Sequence, residues 1–258
     1  MKKILIFLLL ILSLTIFSRN LLFIGDKFID KNLELKNENY VLDVLNKNID
    51  EDDEIEKIIL IGEKSSKTDI YSDNLKLIIY NNKNINIIEN IINGGYDSEI
   101  NIYNEKESNP KIIIKNYTGG SGNYQNVSII DLKSKKIIFD SNINRFNIKG
   151  YFLNDFKISL SINEFNFIID LNNKKTKYIN ENLYDENGTL INQNTSLMIG
   201  GISQINTLNF NRSIINISFG VSGFYHADRI GYLNIMMKYS NNDWEILSIS
   251  FDKILYSK

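Results

Sequence analysis

Short runs rich in isoleucine, phenylalanine and tyrosine recur along this chain about every 8 to 15 residues, separated by clusters of asparagine, glycine and serine. Leu75 to Tyr80, Lys111 to Lys115, Phe156 to Ile162 and Phe165 to Leu171 are examples, and each reads as a strand. That spacing points to an all-β fold, propeller-like or a β-sandwich, rather than to alternating βα units. Helical periodicity is nearly absent. The exception is Asn39 to Lys47, where Tyr40, Val41, Val44 and Leu45 fit one helical face over too few residues to decide.

The turns need residues that tolerate positive φ, yet the chain has only 14 glycines and one proline. Asparagine must therefore fill many of these positions. Asn187 and Gly188 form a tight-turn pair between the runs ending at Tyr184 and starting at Leu190. No linker-like composition change divides the chain, which reads as one domain from Leu33 to Lys258. The N-x-S/T triplets at Asn116, Asn126, Asn211 and Asn216 are expected by chance in so asparagine-rich a sequence.

The first 18 residues, MKKILIFLLLILSLTIFS, have the layout of a secretory signal. The apolar run Ile4 to Phe17 is short against the about 20 residues of a membrane span, which favours cleavage after Ser18 over an uncleaved anchor. Ile16, at minus three from that bond, is larger than the residue a signal peptidase usually meets. An exported, secreted or cell-surface protein is expected, with no membrane span once the signal is removed. With no cysteine, the chain has no disulfide, no thiolate metal site and no lipid-modified cysteine. It folds by core burial, for which 43 % hydrophobic content suffices. The formal charge of −2, from 29 basic residues interspersed with 31 acidic ones, argues against nucleic acid as a partner.

Asn48 to Glu56, NIDEDDEIE, places oxygen-bearing side chains at alternate positions just before the apolar run Lys57 to Ile61. Calcium takes about six to eight oxygen ligands from such a loop, and Asn48, Asp50, Asp52 and Glu56, with the Glu54 carbonyl, match its offsets. Asp53 stands where glycine normally permits the sharp turn, and Asn48 replaces a leading aspartate. A solvated acidic turn that guards a strand edge fits the same residues. Two weaker versions follow: Asn104 to Pro110 (NEKESNP), and Asn206 to Asn211 (NTLNFN) read as a loop before Ile214 to Phe219. A glycine hairpin, Asn116 to Asn126, offers a ligand-binding group of Tyr117, Gly119, Gly120 and Tyr124. The same residues fit a hairpin tip whose tyrosines pack back on the sheet.

The segments IDEDDEIEKIILIGEK (Ile49 to Lys64), GGY (Gly94 to Tyr96), KIIIKNYTGGSGNY (Lys111 to Tyr124), KKIIFD (Lys135 to Asp140) and FYHADRIGYL (Phe224 to Leu233) carry a resemblance. The chain resembles bacterial exported proteins with VCBS or FG-GAP repeats, of the integrin-alpha-like propeller type. The resemblance implies propeller blades with calcium in the aspartate loops, and it implies no known catalysis.

The single histidine, His226, lies near Asp228, but no serine stands in a nucleophile-elbow pattern. One histidine and no cysteine leave only carboxylates for a metal, which suits calcium or magnesium rather than zinc. Glycoside hydrolysis needs only two carboxylates about 5 to 10 Å apart, for which Asp155, Glu164 and Asp170 are candidates. Trp244, the one tryptophan, reads as the anchor of a final strand pair, Ile235 to Tyr239 with Trp244 to Phe251. The expectation is a non-enzymatic, exported interaction module that binds a surface protein or glycan and holds at most one weak calcium ion. The alternative is a carbohydrate-active enzyme on a propeller scaffold.

Overall fold

The isoleucine runs form strands because β-branched side chains pack well on a pleated surface. A computed structural model describes residues 22–35, 38–49, 52, 54–81, 84–103, 110–142, 146–209 and 214–254. The signal segment, Asp50 of the acidic loop and residues 104–109 lie outside the described residues.

Three four-stranded antiparallel units succeed one another. The first comprises β1 (Asn39–Lys47), β2 (Glu56–Glu63), β3 (Tyr71–Tyr80) and β4 (Ile85–Ile88). The second comprises β5 (Gly95–Tyr103), β6 (Lys111–Tyr117), β7 (Gln125–Asp131) and β8 (Lys136–Asp140). A separate three-stranded sheet follows, of β9 (Ile148–Leu153), β10 (Lys157–Ile162) and β11 (Phe165–Asp170), then a 3-10 turn (Asn172–Lys174) running into α1 (Lys175–Asn180). The last unit holds β12 (Met198–Asn209), β13 (Ile214–Ser222), β14 (Arg229–Ser240) and β15 (Asp243–Lys253). Thin seams join the units: Tyr71 and Ser72 of β3 pair with Tyr96 and Gly95 of β5, and Ile202 of β12 pairs with Gln125 of β7. The fold is thus all-β and antiparallel, and its sheets are open among the described residues.

The apolar runs of β2 and β6 are continuous because these strands are buried on both faces. Along β6, Ile112 and Ile114 join a core shared with Ile58, Leu60, Leu75 and Leu77 of the first unit. Ile113 between them enters a second core, with Phe152 and Ile158 of the three-stranded sheet and Ile217 and Leu233 of the last unit. Likewise Ile59, Ile61 and Ile78 face outward from the first unit onto a third core. Residues 22–35, most of them ahead of Leu33, drape over that face, with Phe28 buried and Lys27 bridged to Tyr40.

The segment with helical spacing, Asn39 to Lys47, is strand β1. A bulge between Val41 and Asp43 adds one residue to the alternation. Val41 and Val44 therefore reach one core while Leu42 and Leu45 reach the other, and the three-residue spacing imitates a helix. Among the described residues, eight of twelve non-glycine positive-φ positions are asparagine. Asn241 (φ 52°) and Asn242 (φ 64°) make the β14–β15 hairpin, where Trp244 stands opposite Tyr239 as expected. At Asn187–Gly188 the hairpin reduces to a single bridge, Tyr184 to Leu190. The segment Asn206–Asn209 corrects an expectation: it is not a loop but the end of β12, with Asn206 opposite Asn216. Its alternation with β13 outweighs the polarity that made it resemble a ligand loop.

Burial of both faces has a measurable signature. Ile112→Ala and Ile113→Ala, on opposite faces of β6, are each expected to lower unfolding free energy by about 2–5 kcal/mol in denaturant titrations. A strand with one solvated face would show the loss at one position alone.

Candidate functional site

α1 is only six residues long, but Lys174, Lys177 and Tyr178, at relative positions 0, 3 and 4, share one face of it and of the turn before it. All three converge on Asp228, in the loop between β13 and β14. Oδ1 accepts from Lys174 Nζ and Lys177 Nζ, each at 2.5 Å, and Oδ2 accepts from Tyr178 Oη at 2.7 Å. Lys174 Nζ also donates to the Arg229 carbonyl at 3.1 Å. Asp228 and Lys174 are both buried, so the carboxylate exchanges water for three fixed donors. Burial pushes its pKa up, but the hydrogen bonds from Lys174, Lys177 and Tyr178 outweigh this and hold it below 3.8. Burial works against the Lys177 ammonium too, and its bonds to Asp228 and Tyr225 raise it overall. Burial, with the Asp228 charge, pushes the Tyr178 phenol far up, so it remains a donor.

This carboxylate fixes the loop above it. Gly223 N–H donates to the Asp228 carbonyl at 2.8 Å, Asp228 N–H to the Tyr225 carbonyl at 2.9 Å, and Ser222 Oγ to the His226 carbonyl at 2.9 Å. Gly223 is needed because a Cβ there would lie 2.2 Å from Asp228 Oδ2 and 2.6 Å from Tyr178 Oη. At the tip Phe224, Tyr225 and His226 are exposed. Tyr225 is steadied by Lys177 Nζ at 4.8 Å from its ring centre and by its own hydroxyl, which donates to Glu181 Oε1 at 3.1 Å. With its oxygens taken by three donors, Asp228 positions this loop rather than orienting His226 as a base.

The glycine hairpin brings its residues to two different neighbours. Gly119 and Gly120 both have φ +81°, and a Cβ on Gly119 would lie 2.8 Å from the Tyr96 ring. Tyr117 closes β6 opposite Gln125 of β7 and Tyr96 of β5. Tyr124 lies on the other strand's side, over Gly200 and Gly201 of β12, where a Cβ on Gly200 would sit 2.0 Å from its hydroxyl. Arg229 stacks on the Tyr124 and Tyr232 rings at 5.5 and 5.4 Å and donates Nη2–H to Tyr124 Oη at 3.1 Å. Tyr124 thus clamps the seam between the second and last units. Asn116 is buried, donating to the Asn93 carbonyl at 2.8 Å and accepting from Asn126 at 2.9 Å, so its amide serves the fold.

At the acidic loop, Asn48 Nδ2 donates to the Asp52 carbonyl, and Asp52 Oδ1 accepts Glu54 N–H at 2.7 Å. Glu56 turns back from the start of β2, and its Oε2 accepts Ile49 N–H at 2.9 Å. It is 1 % exposed, and its second oxygen, Oε1, has no hydrogen-bond partner among the described residues. A buried carboxylate oxygen without a donor is costly, and a cation against the loop would relieve that cost. The donor set fits a hard cation. Among the described residues, no group of three or more histidine, cysteine or acidic side chains is close enough to hold a metal by itself. Asp155 and Asp170 flank one end of the β10–β11 hairpin, and both Asp170 oxygens accept from Asn172. Glu164 is at the other end, about 17–20 Å along a six-residue strand.

Residues 146–252, less than half of the chain, match the family described as the YybI C-terminal domain. The match begins just before β9 and ends within β15, so it takes in α1 and the Asp228 loop. No curated protein and no solved structure matches the chain.

Sequence reasoning missed the Asp228 cluster. The local signal was a lysine, lysine and tyrosine on one helical face together with a glycine five residues before an aspartate. Asp228→Asn, which leaves two lysines facing a neutral amide, is expected to cost about 3–5 kcal/mol of stability. The native carboxylate's contribution is whole above pH 3.8 and lost as pH falls through its lower folded value, so the variant's acid-unfolding curve should be flatter below about pH 4.

Proposed function

We propose that this chain is an exported, non-enzymatic interaction module that binds a surface protein or a glycan through its loops. One observation carries the proposal: the Gly223–Asp228 loop presents Phe224 and Tyr225 to solvent while a buried carboxylate fixes its base. Aromatic anchors held in place before binding lose little entropy when a partner arrives. Export is supported by the N-terminal sequence and by the resemblance to VCBS and FG-GAP proteins. Four strands in each of three units suit propeller blades, whereas their open, face-to-face packing suits a sandwich.

The same proposal includes one weak calcium ion on Asn48, Asp50, Asp52, the Glu54 carbonyl and Glu56. Its support is the buried, singly partnered Glu56 carboxylate. With a Kd of about 10⁻³ M, 10 mM calcium contributes about 1.4 kcal/mol, a rise in Tm of about 3 °C. Asp52→Ala should abolish that rise, and an unmoved wild-type Tm would remove calcium from the proposal.

Binding is tested by capture from the producing cell's own envelope, separated into protein and glycan fractions. The double variant Phe224→Ser/Tyr225→Ser should keep the wild-type Tm and lose capture by about tenfold or more. Capture undiminished by that change would move the binding surface elsewhere.

A further inference from the structure

The β7–β8 turn and the β14–β15 hairpin belong to different units of the chain, yet one indole joins them. Ile138 is the extra residue of a bulge in β8, since Phe139 stands opposite Ile129 and Ile137 opposite Ile130. Its carbonyl accepts Trp244 Nε1–H at 2.9 Å. The indole also meets the Phe139 ring edge-on at 6.0 Å and the Tyr239 ring at 5.1 Å between centres. Buried Lys111 places its Nζ 5.7 Å from the centre of the Tyr239 ring. Tyr239 is therefore fixed by two neighbours.

Between the turn and the hairpin lies a cleft of about 410 Å³, within the size range of small-ligand sites. Ile137 and Ile138 give it apolar surface, Tyr239 an aromatic one, and Ser134, Lys136 and Asn242 polar groups. Ser134 Oγ donates to Asp131 Oδ1 at 2.9 Å, which leaves its lone pairs as acceptors. Among the described residues, the Lys136 ammonium and the Asn242 side-chain amide have no partner.

Charge at the rim is lopsided. The turn carries Lys133, Lys135 and Lys136, and Lys135 takes φ +56°, a conformation for which this chain otherwise uses mostly asparagine. Lys135 Nζ donates to the neutral Asn86 side chain at 2.7 Å. Lys111 and Asp131 stand opposite each other across β6 and β7, both buried, and their charges offset. The hairpin contributes Asp243, whose Oδ1 accepts Trp244 N–H at 2.8 Å, and Glu245, which stands opposite Lys238. Cationic charge prevails.

Each of these groups has its counterpart on one kind of molecule. A pyranose offers an apolar C–H face to a tyrosine ring and hydroxyls to an amide and a serine, and a carboxylate on that ring offers an anion to a lysine. We propose that this cleft binds a carboxylate-bearing sugar residue of an acidic glycan, with its ring against Tyr239 and its carboxylate on Lys136. The site goes beyond the reading above, for it lies at the far end of β14 from the Gly223–Asp228 loop and uses none of that loop's residues.

Trp244 is the chain's only tryptophan and neighbours Tyr239, so its emission reports on the cleft. The full chain would be titrated with galacturonate and glucuronate trisaccharides and with sialyllactose, and with the methyl ester of each as its neutral control. At least one acid is expected to shift the emission saturably, and its ester should bind about tenfold more weakly or worse. Lys136→Met keeps a long side chain at an exposed site, and Asn242→Asp keeps a residue that tolerates positive φ while adding a like charge. Each should weaken binding of that acid by about tenfold at an unchanged Tm, whereas Phe224→Ser/Tyr225→Ser should leave it unaltered. No response to any of the acids overturns the site, and so do esters that bind as tightly as their acids. Calorimetric binding that leaves the emission unmoved, or that survives Lys136→Met, places the sugar elsewhere and overturns it too. Binding lost in the Phe224→Ser/Tyr225→Ser variant would assign the sugar to the Gly223–Asp228 loop instead of the cleft.

Discussion

Ile112 and Ile114 on one face of β6, and Ile113 on the other, leave this central strand no face to give to water. With no disulfide available, the fold depends on this double burial. It requires a covering layer on each side, and the rest of the chain supplies them. The first unit covers one face, and the three-stranded sheet with the last unit covers the other. The first unit is buried on both faces in turn, so residues 22–35 complete the stack from outside.

The strands were legible as short apolar runs between polar turns, uninterrupted where both faces are buried, as in β2 and β6. The turns were legible as well, since asparagine tolerates the left-handed region that this glycine-poor chain must often visit. The order of sheets was not, because a run such as Lys111 to Lys115 does not encode which neighbour covers which face. The bulge near Val41 hid β1, because one inserted residue converts a period of two into an apparent three. NTLNFN misled for the opposite reason, as Asn206, Thr207 and Asn209 sit on a strand paired with β13.

The sites divide in the same way. Within the acidic segment the spacing offered a calcium loop or a solvated turn and did not indicate that Glu56 reaches Ile49 seven residues earlier. Tyr124 was legible as an unusual loop aromatic, but its partners, Gly200 and Arg229, come from far along the chain. Asp228 and Lys174 are 54 residues apart, and neither lies in a segment whose local pattern announces an ion pair. Contacts made across sheets leave little trace in local periodicity.

The two seams give the stack a graded cohesion. Within each unit the strands pair along most of their length, but β3 meets β5 at two residue pairs and β7 meets β12 at one. Side chains hold the layers together far more than backbone does. Hydrogen exchange in such an arrangement follows the units rather than the single strands, and each can loosen as a block while its own ladder stays closed. Tension applied at the ends of the chain would be absorbed first by slippage between layers, before any sheet is unzipped.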